Sequence, residues 1–320
     1  MSLSAFWELV EIRTKIASLF PFIIGILFSL SYFGQVHWDL TLIFFVGMLV
    51  FDMTTTAINN FMDYRKAKSE TYRQTENVIG VEQLDVRNVS RLIIGMLIIA
   101  ALIGGYLSWQ TGWLLLVMGL ICCFIGVFYT AGPIPLSRMP LGEIFSGFTM
   151  GLGIFAMVVY INTYDLRPFY LELNLTGGGA FALTGNLWQL AAVLLASLPL
   201  VFTIADIMLA NNLRDLETDI KNHRYTLVYY LGREQGIKLF SWLVYACYGV
   251  ILVGLVTGIY EWPILITWLT LPKIRQQLAA HRQELPAPHS FVYSLKNMVL
   301  FNSSYTVGLL LGVVWQWVVG

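Results

Sequence analysis

The sequence predicts an all-α, polytopic membrane helical bundle of about nine transmembrane helices with a cytoplasmic N-terminus. Three observations predict it. The chain of 320 residues is 57% hydrophobic and only 12% charged, about half the charged share of a soluble domain. Apolar runs close to twenty residues long recur from end to end, and that is the length a helix needs to cross the hydrocarbon core. The cations also sort to one side of the resulting spans, as cytoplasmic loops require.

The spans fall at about 15–33, 39–60, 91–109, 112–130, 141–161, 188–211, 238–259, 261–272 and 297–318. The eighth is short for a full crossing. With the N-terminus inside, 18 of the 19 Lys and Arg residues lie on the cytoplasmic side, and only Arg167 lies outside. Merging spans seven and eight would reverse the last loop and spoil that sorting. The first apolar run starts near Ile16, lacks a small-residue cleavage site and reads as a spanning helix. The expectation is one domain over 1–320, multi-pass in the cell membrane, with the lipid bilayer as its surroundings.

Composition also excludes function classes. The formal net charge is zero, which gives no sign of a nucleic-acid partner. Cys122, Cys123 and Cys247 lie inside apolar runs with neither C-x-x-C spacing nor a disulfide framework. His37, His223, His281 and His289 are scattered, which argues against haem or zinc as the working centre.

Chemistry concentrates where two apolar runs end. The run from about Leu190 to Ala210 leads directly into Asn211, Asn212, Arg214, Asp215, Glu217, Asp219, Lys221 and Arg224. If the helix continues, Asn211, Asp215 and Asp219 fall at i, i+4 and i+8, on one face. Oxygen donors in line suit a hard cation such as Mg²⁺, which is commonly held by a few carboxylates and a substrate's phosphates. Basic residues beyond could meet phosphate oxygens the metal leaves free. Mixed charge is also what any membrane helix shows on reaching water, and one motif does not separate the two. A second copy shifts the balance: Asn59-Asn60-Phe61-Met62-Asp63 repeats the N-N-x-x-D pattern of Asn211–Asp215. Asn59 or Asn60 shares a helical face with Asp63. Both motifs end even-numbered spans, so both reach the cytoplasmic face and could close over one anionic ligand.

The remaining candidates follow in chain order. Arg13 and Lys15 stand where the chain enters the membrane, and interfacial anchoring is favoured more for Lys15 than for Arg13. Asp52 and Asp206 are intramembrane acids, each either a site residue or a buried hydrogen-bonding partner. The turn Tyr129-Thr130-Ala131-Gly132-Pro133-Ile134-Pro135 stops span four. It puts Tyr129, Arg138 and Glu143 level with the acidic motifs as cavity lining, and Glu143 also suits a helix N-terminus. Residues 162–187, with Asn162, Asp165 and Thr176-Gly177-Gly178-Gly179, read as a flexible external loop. Most of the many aromatics, Trp242, Trp262 and Trp317 among them, suit the lipid interface or packing.

On these residues the chain resembles the UbiA superfamily of intramembrane aromatic prenyltransferases, and within it the subgroup that prenylates 1,4-dihydroxy-2-naphthoate in menaquinone synthesis. The similarity lies in NNLRDLETD followed by Tyr225-Thr226-Leu227, and in YTAGPIPL followed by Leu141-Gly142-Glu143. The number of spans and the placement of the motifs extend it to the whole chain. The first motif departs from the family's N-D-x-x-D, with Asn60 where the first Asp stands and Lys66-Ala67-Lys68-Ser69 near a later acid. The family's R-P-K-T is here Glu11-Ile12-Arg13-Thr14.

The resemblance implies a cavity open to lipid, with Mg²⁺ on Asn60, Asp63, Asp215 and Asp219 binding the diphosphate of a polyprenyl donor. It makes Lys66, Lys221 and Arg224 candidates for the remaining phosphate charge, with Asn59, Asn211, Asn212 and Tyr129 around the substrate. Arg13 or Arg138 would orient the carboxylate of an aromatic acid acceptor. It further implies that Asn60→Asp is tolerated, since it restores the family residue. Rival readings are another acceptor, such as 4-hydroxybenzoate or homogentisate, and, in a different class, a cation-coupled transporter or lipid-binding protein.

Overall fold

The computed structural model describes residues 1–67, 70–75, 77–131, 135–174, 176 and 179–319. The short helix α1 (Leu3–Leu9) is capped by the Ser2 side chain, which accepts from the Ala5 N–H. A tight 3₁₀ turn over Ile12–Lys15 leads into α2 (Ile16–Phe28), which runs on through a wide π turn to Phe33. The second span, α3 (Trp38–Lys66), is an unbroken 29-residue helix that carries the first motif on its last turns. Two short helices, α4 (Glu70–Thr75) and α5 (Val78–Val81), connect it to α6 (Val86–Thr111). Gly112, at φ +113°, separates α6 from α7 (Trp113–Ala131), a backbone angle that an L-residue rarely adopts.

The fifth span begins as α8 (Gly142–Ser146), widens into a π segment over Gly147–Gly153 and ends as α9 (Ile154–Thr163). The strands β1 (Phe169–Asn174) and β2 (Ala180–Gly185) then pair antiparallel, with Phe169 opposite Gly185. The sixth span, α10 (Leu187–Lys221), is 35 residues long and crosses the composition change without a break. Asn186 caps its start by accepting from the N–H groups of Trp188 and Gln189. After α11 (Leu227–Leu231) and α12 (Arg233–Val256), a 3₁₀ segment over Trp262–Thr270 passes into α13 (Leu271–Glu284), and α14 (Val292–Val319) closes the chain.

Among the described residues, seven helices are long and apolar enough to cross a membrane, and Trp113–Tyr129 is a shorter apolar one. Span eight is where sequence and structure differ. Its apolar part is wound as a 3₁₀ helix, which rises about 2 Å per residue where an α-helix rises about 1.5 Å. The nine residues Trp262–Thr270 therefore rise about 18 Å, as far as about twelve residues of α-helix.

The centre of the bundle is α10, whose buried face includes Ala196, Leu200, Ile204 and Leu209. The π segment meets it backbone to backbone. A Cβ on Gly147 would stand 2.7 Å from the Val201 carbonyl oxygen, and one on Gly151 would stand 2.6 Å from the Val201 nitrogen. Small-xxx-small spacing of this kind lets membrane helices approach closely. At the far end, the described residues of the expected flexible loop over 162–187 include a buried anchor and a hairpin. Asn162 is fully buried and accepts from the His37 N–H at 2.7 Å and the Thr41 hydroxyl at 3.0 Å. The hairpin then follows the period-two pattern of Phe169, Leu171 and Leu173. The Gly177-Gly178 pair of that reading lies outside the described residues, as does Gly132-Pro133-Ile134.

Candidate active site

Because α10 stays helical through its acidic stretch, Asn211, Asp215 and Asp219 do share one face. Arg214 organises the first two. Its guanidinium grips both oxygens of Asp215, with Nε at 2.7 Å from Oδ1, and donates to Asn211 Oδ1 at 2.8 Å. It lies over the Phe291 ring, 5.3 Å from the centroid. Asp219 is 4% exposed, and the Arg224 Nε is 3.5 Å from its Oδ1. The helix ends here: the Arg224 N–H returns to the Asp219 carbonyl at 2.8 Å, and His223 takes a left-handed φ of +54°.

Two more segments dock at this end. The Tyr225 N–H donates to the Arg138 carbonyl at 3.1 Å, which holds the loop after α7 against the tail of the second motif. The Arg224, Arg138 and Lys66 cations all act electrostatically on the Asp63 carboxylate. Asp63 therefore lies within electrostatic reach of the tail of the second motif and of the intervening loop, although Asp63 and Arg224 are 161 residues apart (224 − 63). Asn59 lies one turn inward of Asp63, and its buried Oδ1 has no hydrogen-bond partner among the described residues.

Not every expected side chain joins them. Asn60 is turned to the N-terminal segment: its amide donates to the Leu9 carbonyl at 2.9 Å and to Glu11 Oε1 at 3.3 Å. Asn212 is buried and donates to Glu143 Oε1 at 2.8 Å. This contact ties α10 to α8, so Glu143 is a buried partner and Asn212 is not free for substrate. Lys221 follows Asp219 by two residues, about 200° around the helix. It is exposed beside Glu217, which Arg233 holds at 2.7 Å, and the acidic face lies on the other side. The Tyr129 hydroxyl lies 3.4 Å from the Gly142 carbonyl and in the field of Glu143 and Arg224.

The N-terminal cations exchange roles. Arg13 is exposed and makes no hydrogen bond or ion pair among the described residues. Lys15, expected as an interfacial anchor, is 4% exposed and bonds Asp52 Oδ1 at 2.9 Å and the Thr56 hydroxyl at 2.6 Å. Ser18 donates to the other Asp52 oxygen at 2.6 Å. Asp52, Thr56, Asn59 and Asp63 follow at i, i+4, i+7 and i+11 and form one polar stripe down α3. Of the alternatives left open for Asp52, the buried partner is the one observed. Asp206 turns away from the acidic face, toward Cys247 on α12, and neither of its oxygens has a partner among the described residues.

Asp63, Asp219 and the unpartnered Asn59 oxygen are hard-oxygen donors, the chemistry that suits Mg²⁺ and a phosphate ligand. In the conformation described, arginines occupy the second-motif carboxylates, and no group of three or more His, Cys, Asp or Glu side chains stands close enough to hold an ion among the described residues.

An α-helical membrane bundle with two acidic helix ends, one of them in the field of Arg224 from beyond the other, defines the class, and comparison with known proteins makes it specific. The UbiA prenyltransferase family matches residues 18–302, and the chain belongs to that family. It is 26% identical over 315 residues to the 1,4-dihydroxy-2-naphthoate octaprenyltransferase of Bacillus subtilis (strain 168), spanning 96% of this chain and 91% of that one. Among solved structures, a digeranylgeranylglyceryl phosphate synthase superposes with a TM-score of 0.65 at 14% identity, covering 98% of this chain and 99% of that one. A UbiA homologue from Archaeoglobus fulgidus bound to DMAPP and Mg²⁺ gives 0.60 at 12% identity over 94% and 99%. A UbiA homologue from Aeropyrum pernix K1 gives 0.64 at 13% identity over 91% and 97%. The chain is a multi-pass membrane prenyltransferase, which sets aside the transporter reading.

Proposed function

We propose that the enzyme transfers a polyprenyl group from polyprenyl diphosphate to 1,4-dihydroxy-2-naphthoate, releasing diphosphate and CO₂ and giving demethylmenaquinol. The proposed setting is the cell membrane, with nine spans, the N-terminus inside and the site at the cytoplasmic end. The observation that carries it is the Arg224–Asp219 ion pair at the end of α10, with Asp63 at the end of α3 in the field of the same Arg224 and of Arg138. The naphthoate acceptor is supported by the relative from B. subtilis.

Asp63 and Asp219, with Asp215 once Arg214 lets it go, would hold Mg²⁺, and the Asn59 oxygen adds a neutral donor. The ion would neutralise the negative charge that grows on the leaving diphosphate. Arg224 and Lys66 supply further positive charge to the phosphate oxygens. The allylic C–O bond breaks with its electron pair going to diphosphate, and the ring carbon that bears the acceptor's carboxylate attacks the prenyl carbon. Loss of CO₂ returns the C–C electron pair to the ring. Arg138, held by Tyr225, is better placed than the solvent-facing Arg13 to orient the acceptor's carboxylate. The apolar walls of the bundle keep water from the cation.

The test is turnover in nanodiscs with farnesyl or a longer polyprenyl diphosphate, with and without Mg²⁺, offering 1,4-dihydroxy-2-naphthoate and 4-hydroxybenzoate in parallel. A prenylated, decarboxylated naphthoquinol formed only with Mg²⁺ is the expected result. Product from 4-hydroxybenzoate alone would move the enzyme to another quinone pathway.

A further inference from the structure

The first motif carries Asn60 at a position where an acid would serve a metal, and the structure gives that side chain a different task. Its amide nitrogen donates to the Leu9 carbonyl at 2.9 Å and to Glu11 Oε1 at 3.3 Å. Leu9 is the last residue of α1, so its carbonyl is one of those a helix end leaves without an intrahelical donor. Directly after it the chain reverses through Glu11, a non-glycine residue at φ +48°, a conformation that surrounding contacts must hold in place. The Asn60 backbone carbonyl is engaged as well. It accepts from Asn77 Nδ2 at 3.0 Å, while Asn77 Oδ1 accepts the Ile79 N–H at the start of α5.

Apolar packing continues the contact. Leu9 and Val10 are fully buried in a cluster with Ala57, Ile58, Ile79 and Val89. Two helical turns deeper, Lys15 joins the same N-terminal segment to Asp52 and Thr56. The segment is thus fastened to α3 at two levels, with Asn59 and Asp63 on the adjoining face.

We propose that Asn60 is a positioning residue and not a metal ligand: it latches the end of α1 to α3 and sets the face that presents Asn59 and Asp63. Carboxamide chemistry requires it here. An amide N–H can bond a carbonyl and a carboxylate together, whereas a carboxylate in its place would set an acceptor against two acceptors, one of them the Glu11 side chain. The first half-site then works with a single carboxylate, Asp63. The kinetic arm of the test rests on the prenyl-transfer reading, and the structural arm does not.

The experiment takes the full chain in nanodiscs as wild type, Asn60→Asp, Asn60→Ala and the double variant Asn60→Asp/Glu11→Lys. It reads hydrogen–deuterium exchange over residues 3–15 and the Mg²⁺ concentration for half-maximal turnover. The latch predicts about tenfold faster exchange across 3–15 in Asn60→Asp and Asn60→Ala. It predicts lower kcat with the Mg²⁺ half-saturation within about twofold of wild type. It also predicts partial recovery of protection in the double variant, where the introduced ammonium can donate to the introduced carboxylate. Wild-type protection in Asn60→Asp, with a lower Mg²⁺ requirement, would overturn the proposal and make position 60 a ligand. If Asn60→Asp does not fold, Asn60→Ala decides alone: lost protection at unchanged Mg²⁺ requirement supports the latch, and intact protection with a raised requirement overturns it. Protein that turns over no acceptor at all would refute the prenyl-transfer reading, and the exchange data would still decide the latch.

Discussion

Lys15 Nζ lies 2.9 Å from Asp52 Oδ1, with the two side chains 5% and 14% exposed. A buried pair of this kind is strongly coupled, because removing one member strands the other's charge in a low-dielectric interior. Lys15→Met is expected to destabilise the protein by somewhat less than the ~3–5 kcal/mol of a fully buried pair. The double variant Lys15→Met/Asp52→Leu is expected to recover most of that loss. Thermal unfolding of the three proteins in one detergent measures it, and a double variant as unstable as the single would show that the two residues are not coupled.

Asp215→Ala and Asp219→Ala are each expected to lower kcat at least ~10²-fold, the scale of removing one group that stabilises transition-state charge. Unfolding temperatures should stay close to wild type, since both carboxylates sit at a helix end. Radiolabelled prenyl transfer at saturating donor checks this. Normal rates in either variant would remove that residue from the metal site. Glu217 offers the contrast: it lies on the opposite side, bonded to Arg233, and Glu217→Gln should keep wild-type kcat.

Burial pushes the His281 imidazole down to about 4 from its ordinary 6.5, against the opposing pull of Glu284. The ring is fully buried and stacks on Phe240 at 4.2 Å. A base whose folded pKa is depressed favours the fold in its neutral form. Its contribution is therefore complete above pH 6.5 and is lost as pH falls from there through about 4. The loss is on the order of 3 kcal/mol at full protonation. Chemical denaturation at a series of pH values should show this slope in wild type and a much shallower one in His281→Phe.

Gly151→Ala is expected to cost about 1–3 kcal/mol, because the added carbon meets backbone on α10 and not a side chain that can turn aside. Gly119, whose Cβ would face open space, provides the control. Unfolding temperatures of Gly151→Ala and Gly119→Ala should separate clearly.

Much of this was legible in the chain. The apolar runs gave the bundle, and the N-N-x-x-D repeat marked the polar late turns of α3 and α10. The offset i, i+4, i+8 also holds for Asn211, Asp215 and Asp219, because α10 stays helical through its charges. What the chain did not reveal was direction around each helix. Asn59 and Asn60 differ by one residue, or about 100°, and only packing decides which faces Asp63's side and which faces Leu9. Lys221 turns away from the acidic face for the same reason. The Lys15–Asp52 pair left a signal in the sequence, since an acid inside a span needs a cation at similar depth. The residues that meet it, Ser18 and Thr56, are too common to stand out. The hairpin was written in the alternation Phe169, Leu171, Leu173 and was masked by its setting among longer apolar runs.

The contact at Val201 has a mechanical meaning for chemistry far along the same helix. Gly147 and Gly151 form a fulcrum with almost no compliance, because backbone rests on backbone. Asp215 lies fourteen residues beyond Val201 (215 − 201), a lever arm of about 21 Å. A tilt of about 3° at that fulcrum moves the carboxylate by roughly 1 Å over such an arm, and a misplacement of that size costs about 10²-fold in rate. Substitutions at these glycines should therefore appear in kinetics as well as in melting curves. Natural variation at the pivot would tune the reaction without changing any residue that touches substrate.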